Sequence, residues 1–182
     1  MTFGLTQQEL RTDRLVLRPL RPSDAGPMTL YCGDERLARM TASIPHPYPP
    51  GAASAYIDAV THGRNGHTCW AMDASASIDE ELIGVVMLKS PDELGYWVGE
   101  PFWNTGFATE AVQEVVAHLT QSGLTGLRAC VFKDNPASRS VLEKAGFQAA
   151  GEGWAYSVAR GEAVGEWRLR HGGAIRPGEK VR

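Results

Sequence analysis

No stretch of this 182-residue chain stays apolar over the roughly 20 residues that a bilayer-spanning helix needs, so a membrane partner is not expected. The first residues include Gln7, Gln8, Glu9, Arg11 and Asp13 in place of the apolar core of a secretory leader. A basic excess is also missing. The net charge is −3, which leaves no electrostatic footprint for nucleic acid. Cysteine is scarce: Cys32, Cys69 and Cys130 lie far apart without C-x-x-C spacing. An odd, scattered set reads as reduced, buried thiols in a cytoplasmic protein. His46, His62, His67, His118 and His171 do not cluster with the cysteines, so no metal is expected. Internal repeats and a second domain boundary are absent as well.

What is present fits one enzyme-sized domain. At 43% hydrophobic residues, the chain can bury one sizeable core. Residues 1–170 read as a single domain. Residues 171–182, with three glycines, Pro177 and a basic excess, read as a solvated tail.

The chain is organised around the stretch from Trp97 to Ala111, where a strand enters a glycine-bearing loop and the loop enters a helix. From Phe107 the apolar residues fall at Ala111, Val112, Val115, Val116 and Leu119, which is helical spacing, and Gly123 ends the run. The first turn of such a helix leaves backbone N–H groups unpaired, and its dipole favours an anion. The run Thr105-Gly106-Phe107-Ala108-Thr109 can offer several of them to one phosphate, with Gly106 permitting close backbone approach. The loop has no Lys followed by Ser or Thr and no spaced glycines, so it is neither a nucleoside-triphosphate loop nor a dinucleotide fingerprint.

A second informative stretch runs from Lys133 to Phe147. Asn135 suits an N-cap, Pro136 the first helical position and Gly146 the position past the end, so a short helix follows from local rules. Capping alone accounts for Asn135 without any ligand.

The rest of the chain supplies a strand at 15–20, two short helices broken at Gly33-Asp34, and a proline-rich rigid loop at 44–51 holding His46 and Tyr48. A helix over 52–62 follows, then a meander of strands at 68–72, 82–89 and 94–98 joined by a polar loop at 73–81. A strand at 126–132 comes after the central helix. Final strands are expected at 147–151 and 165–169, with 156–161 either part of a third strand or a loop.

Gly95-Tyr96-Trp97-Val98-Gly99 followed by Trp103-Asn104-Thr105-Gly106-Phe107-Ala108-Thr109-Glu110-Ala111 resembles the acetyl-CoA-binding core of the Gcn5-related N-acetyltransferase (GNAT) superfamily, in the form of its ribosomal-protein N-terminal acetyltransferase branch. The superfamily core is Gln/Arg-x-x-Gly-x-Gly/Ala. This chain keeps Gly106 and Ala108 and has Trp103 where Gln or Arg is commonest, an aromatic being usual in that branch. Arg11-Thr12-Asp13-Arg14-Leu15-Val16-Leu17-Arg18 is similar to the branch's opening strand, and Asn135-Pro136-Ala137-Ser138 with Glu143-Lys144-Ala145-Gly146-Phe147 to its second block.

The resemblance implies an α+β fold, with a central, mostly antiparallel twisted sheet flanked by helices. It implies an N-acetyltransferase that moves an acetyl group from acetyl-CoA to a primary amine, with no metal. The loop of Trp103, Asn104, Thr105, Gly106, Phe107, Ala108 and Thr109 would bind the pyrophosphate. Trp97 and Val98 would pair with the pantetheine amides, and Asn135 and Ser138 would face the pantetheine arm and thioester. Many members carry a tyrosine, the acid for the leaving thiolate, where this chain has Leu142, and Ser138 is the expected substitute.

Glu100 is the expected base, because it directly follows the cofactor strand. A solvated turn residue before Pro101 is the other reading. Glu110 is expected to point outward as a structural residue, since an inward carboxylate would repel the pyrophosphate. His46 and Tyr48 are expected either as acceptor contacts or as parts of a stiff connector. The branch suggests a protein N-terminal α-amine as acceptor. A small amine, an amino acid or an antibiotic stays open, as does a non-catalytic acyl-CoA-binding or sensing module. A homodimer is common in such families.

Overall fold

A computed structural model describes residues 8–172. The elements run β1 (Leu10–Arg11), β2 (Val16–Arg18), α1 (Ala25–Cys32), α2 (Glu35–Arg39), α3 (Ala52–Thr61), β3 (Thr68–Asp73), α4 (Ser75–Ile78), β4 (Gly84–Ser90), β5 (Glu93–Val98), α5 (Phe107–Gln121), β6 (Leu127–Phe132), α6 (Pro136–Lys144), β7 (Gln148–Ser157) and β8 (Glu162–His171). The strands form one sheet in the order β1-β2-β3-β4-β5-β6-β8-β7. Every neighbouring pair is antiparallel except β5 with β6. The mixed sheet flanked by helices matches the α+β expectation.

Each face carries its own core. On one face α5 buries Phe107, Ala111, Val112, Val115, Val116 and Leu119, the residues its periodicity singles out. They pack with Trp70, Met72, Val86 and Leu88 from the sheet and Leu142 from α6. Each fully buried side chain of this size stabilises the fold by about 1.5–3 kcal/mol. On the other face α1 and α3 set Met28, Cys32, Ala53 and Ile57 against Cys69, Ala71, Val85 and Trp97.

Four expectations need correction. The final strands are longer than 147–151 and 165–169: β7 and β8 are ten residues each and pair from Gln148↔Arg170 to Ser157↔Glu162. Tyr156 and Ser157 belong to β7, and 158–161 form the turn. The hydrophobic alternation that marks a strand is masked in β7 because Trp154 and Tyr156 are exposed and Gly151 and Gly153 interrupt it. Of the three thiols expected to be buried, Cys32 and Cys69 are and Cys130 is exposed. The 73–81 connection also holds a turn of helix, α4. The expected tail begins inside β8, since His171 pairs with Leu127, and residues 173–182 lie outside the described part.

Candidate active site

The site begins as a fork in the sheet. β5 and β6 pair only at Glu93↔Arg128. That vertex is riveted: Arg128 N donates to the Asp92 carbonyl at 2.6 Å. Its guanidinium donates to both Asp92 carboxylate oxygens at 2.7 and 2.8 Å. Beyond it the strands diverge unpaired, and the alternation of each ladder decides what faces the gap. Gly99 N donates to Ile83 O at 2.8 Å, so alternate residues Gly99, Trp97 and Gly95 direct their backbone toward β4. Tyr96 and Val98 therefore direct theirs into the gap. On the other arm Lys133 N donates to Gly165 O at 2.9 Å, which leaves Cys130 and Phe132 facing the gap. Open strand edges on both sides are what an extended ligand rich in amides can pair with. Of the two expected pantetheine partners, Val98 offers its backbone to the gap. Trp97 has its backbone paired with Val85 and contributes its side chain to the cavity wall.

At the open end of β5 lies the loop of Trp103 to Thr109. Trp103 Nε1 donates to the Val98 carbonyl at 2.8 Å and so fixes the loop to the strand end. Asn104 and Gly106 both take left-handed backbone conformations, with φ of 61° and 88°. Asparagine and glycine tolerate that region best. Gly106 is the N-cap of α5, and the amides of Phe107, Ala108 and Thr109 make up its first turn, where no intrahelical acceptor exists. A Cβ on Gly106 would come within 3.2 Å of Arg14 Nη2. A diphosphate fits this loop by its unpaired amides, by the helix dipole and by a backbone bare of side chain at its tightest point.

Arg14 braces the loop, a role the sequence reading did not give it. Its Nη1 donates to the Thr105 carbonyl at 3.0 Å, its guanidinium lies 4.2 Å from the Phe107 ring centre, and its Nε donates to Glu110 at 2.7 Å. Glu110 also accepts from Thr12 Oγ1 and from Arg14 N. Burial works to raise the Glu110 carboxyl, and these bonds outweigh it and hold it below the usual range. Glu110 thus turns to the β1–β2 loop. The signal for this clasp in the sequence is the run Arg11-Thr12-Asp13-Arg14-Leu15-Val16-Leu17-Arg18 of the opening strand.

At the start of α6, Asn135 Oδ1 accepts from Ser138 N at 3.1 Å, as an N-cap does. Ser138 Oγ in turn accepts from the Tyr96 hydroxyl at 2.7 Å, across the gap. Burial, partly offset by that bond, pushes the Tyr96 phenol up to about 12, so it stays protonated at neutral pH. Tyr96 is a further candidate for the site that the sequence alone did not single out, although it sits in the Gly95-Tyr96-Trp97-Val98-Gly99 run.

Tyr96, Ser138 and Leu142 open into a cavity of about 610 Å³ that passes through the fork to the α1–α3 face. There Met28, Cys32, Tyr48, Tyr56 and Trp97 form apolar and aromatic walls. Tyr48 lines the cavity, whereas His46 does not. Glu100 does not line it either. Its carboxylate accepts from Arg36 Nη1 at 2.8 Å, beside α2. The structure thus brings Ser138, Tyr96, Trp97 and Leu142 together, puts the loop of 103–109 at the end of the same strand, and holds Glu100 outside the cavity wall. Among the described residues no group of three or more His, Cys, Asp or Glu is placed to hold a metal. No helix among them is long and apolar enough to cross a membrane.

A forked mixed sheet, a helix start with free geometry for an anion at the end of one prong and a hydroxyl pair between the prongs point to the class of acyl-CoA-dependent transferases. Residues 14–148 match the family model of the acetyltransferase (GNAT) domain, so the chain belongs to the GNAT acetyltransferase family. It is 28% identical over 158 residues to the uncharacterized N-acetyltransferase YoaA of Bacillus subtilis (strain 168), covering 78% of this chain and 84% of that one. Over 78 residues it is 37% identical to the ribosomal-protein-serine acetyltransferase of Escherichia coli (strain K12), covering 38% of this chain and 42% of that one. Among solved structures, the microcin C7 self-immunity acetyltransferase MccE, in complex with acetyl-CoA and AMP, superposes with a TM-score of 0.75 at 16% identity, over 87% of this chain and 92% of that one. At that identity the likeness shows the fold. The protein is an acetyl-CoA-dependent N-acetyltransferase.

Proposed function

We propose that this enzyme acetylates a primary amine, and that a peptide or protein N-terminal α-amine is its acceptor. The amine nitrogen attacks the acetyl carbonyl, the carbon–sulfur bond breaks, the departing thiolate takes a proton and the amine loses one. Ser138 gives the proton to the thiolate, Tyr96, already donating to Ser138 Oγ, replaces it, and the proton shed by the amine is returned to Tyr96 through solvent. The observation that carries this reading is that hydroxyl pair, spanning the gap where Leu142 stands in place of the family's tyrosine. The loop of Trp103 to Thr109 takes the pyrophosphate on its first-turn amides. Trp97 and Val98, with Asn135 and Ser138, hold the arm that leads to the thioester.

An α-amine acceptor suits a site whose expected base, Glu100, is engaged by Arg36. With a pKa of about 8, an α-amine is roughly one-tenth neutral at pH 7, against about one lysine in 2,500. The curated relative that acetylates a ribosomal protein supports the same acceptor class.

The test is calorimetric titration with acetyl-CoA of wild type and Gly106→Val side by side, followed by turnover on short peptides with free N-termini. Micromolar-range binding lost in the variant, with acetyl transfer by the wild type, is the expected result. Binding without transfer to any amine would favour a sensing module instead, and no binding by folded wild type would overturn the site assignment.

A further inference from the structure

The acceptor half of the cavity has two features that the family assignment does not use. The first is a roof. The turn between β7 and β8 is latched to the segment after α2: Val158 N donates to the Ala42 carbonyl at 3.0 Å, and Ser157 Oγ to Thr41 O at 3.4 Å. Arg160 bolts the latch, with Nε donating to Arg39 O at 2.7 Å and Nη1 to Asp134 at 2.6 Å. Thr41, Ala42 and Ala155 of these segments line the cavity. A convex protein surface cannot present an internal side chain under such a strap. A slender chain end can.

The second feature is Glu166. It lies on β8 opposite Phe132 of β6, lines the cavity and is 7% exposed. Burying a carboxylate without a firm partner is costly. Arg168 Nε donates to its Oε1 at 3.2 Å, long for a charge-assisted bond. Arg168 does not line the cavity. The other carboxylate there is Glu93, matched by Lys89 Nζ at 2.7 Å, and the nearby His67 is held below its ordinary value by burial and by Lys89, with Glu93 opposing. Glu166 is therefore the carboxylate in the acceptor half whose charge is least compensated. Cys130 lines the same cavity and feels both carboxylates: the residue is exposed, yet partial burial of its thiol raises it to about 11, Glu166 and Glu93 add to the rise, and Lys89 and Arg168 oppose it.

We propose that Glu166 is the anchor for the acceptor, gripping the ammonium group at the end of a slender chain beneath the strap and taking one of its protons, which frees the nitrogen lone pair to attack the acetyl carbonyl. This rests on the acetyltransferase reading of the same cavity. The ammonium could end a peptide or a polyamine.

Cys130 offers a reporter that does not require the acceptor to be known. The protein is treated with a quaternary-ammonium methanethiosulfonate and, separately, with its sulfonate counterpart, and the rate at Cys130 is followed by peptide mass spectrometry. Rates are normalised to those on free cysteine. The wild type should prefer the cationic reagent at Cys130 by about fivefold or more, and Glu166→Gln should bring the ratio to within about twofold of unity. In parallel, turnover is measured on a seryl tetrapeptide and on a polyamine. Glu166→Gln should lower kcat/KM on whichever is used by about 100-fold, with acetyl-CoA affinity unchanged and Glu166→Asp recovering part of the loss. The better of the two substrates identifies the chain that carries the ammonium. A wild type without charge preference at Cys130, an equal preference in Glu166→Gln, or unchanged kcat/KM would overturn the proposal. Failure of the folded wild type to bind acetyl-CoA would instead strike the acetyltransferase reading.

Discussion

In the proposed mechanism Ser138 and Tyr96 bear the acid chemistry that a tyrosine at the position of Leu142 supplies in many family members. A Ser138→Ala variant should lose about 100-fold or more in kcat while its acetyl-CoA dissociation constant stays within about threefold, as measured by steady-state kinetics and calorimetry. Tyr96→Phe should lose less, about tenfold, because Ser138 keeps its own proton and only the resupply is gone. Equal turnover in Ser138→Ala would remove that residue from the mechanism. Gly106→Val meets two obstacles at once. Its φ of 88° lies in a region closed to β-branched residues, and its Cβ would press on Arg14. Coenzyme binding should be lost while the fold, judged by circular dichroism, persists.

Between elements, the tie from the β1–β2 loop to the start of α5 is the one most open to test. Arg14→Ala removes the bond to the Thr105 carbonyl, the stacking on Phe107 and the ion pair with Glu110 together. The affinity for coenzyme A should fall about tenfold, and that for free pantetheine, which lacks the diphosphate, should not change. A parallel loss of both would mark a general unfolding of the helix start. Elements with strong local signals were legible in the chain: α5 by its apolar spacing, α6 by Asn135, Pro136 and Gly146, and α1 with α2 by the break at Gly33-Asp34. Non-local features were not. Nothing in the run 93–98 says that it pairs with 127–132 at one point only, because register is set by the whole sheet. The bond from Tyr96 to Ser138 and the ion pair from Arg36 to Glu100 join residues far apart in sequence, so no spacing rule finds them. For β7, exposed aromatics and two glycines concealed a strand that pairing with β8 completes.

Across the whole molecule, buried charge links β2, the turn that leads into α1, and β3. Arg18 donates to Asp24 through both terminal nitrogens at 2.9 and 2.8 Å and to Asp73 through Nε at 2.7 Å, all in the interior. Replacing it by Ala would strand two carboxylates and should cost about 3–5 kcal/mol by urea unfolding. Burial raises the Asp73 carboxyl, while the bonds from Arg18 and Ser75 outweigh it and hold it below the ordinary range. A carboxyl lowered in the folded state stabilises the fold above its unfolded pKa and ceases to as the pH drops through its folded one. Stability should therefore decline as pH falls below about 4, and the decline should be shallower in Asp73→Asn. The vertex at Glu93 and Arg128 has a consequence of a different kind. Five strands on one side and three on the other meet there through a single bridge. The amides of Tyr96, Val98, Cys130 and Phe132, every second residue along both prongs, should exchange their hydrogens with solvent readily while their neighbours stay slow. A bound coenzyme arm would write itself into that record as a comb, protecting alternate positions and leaving the rest as they were.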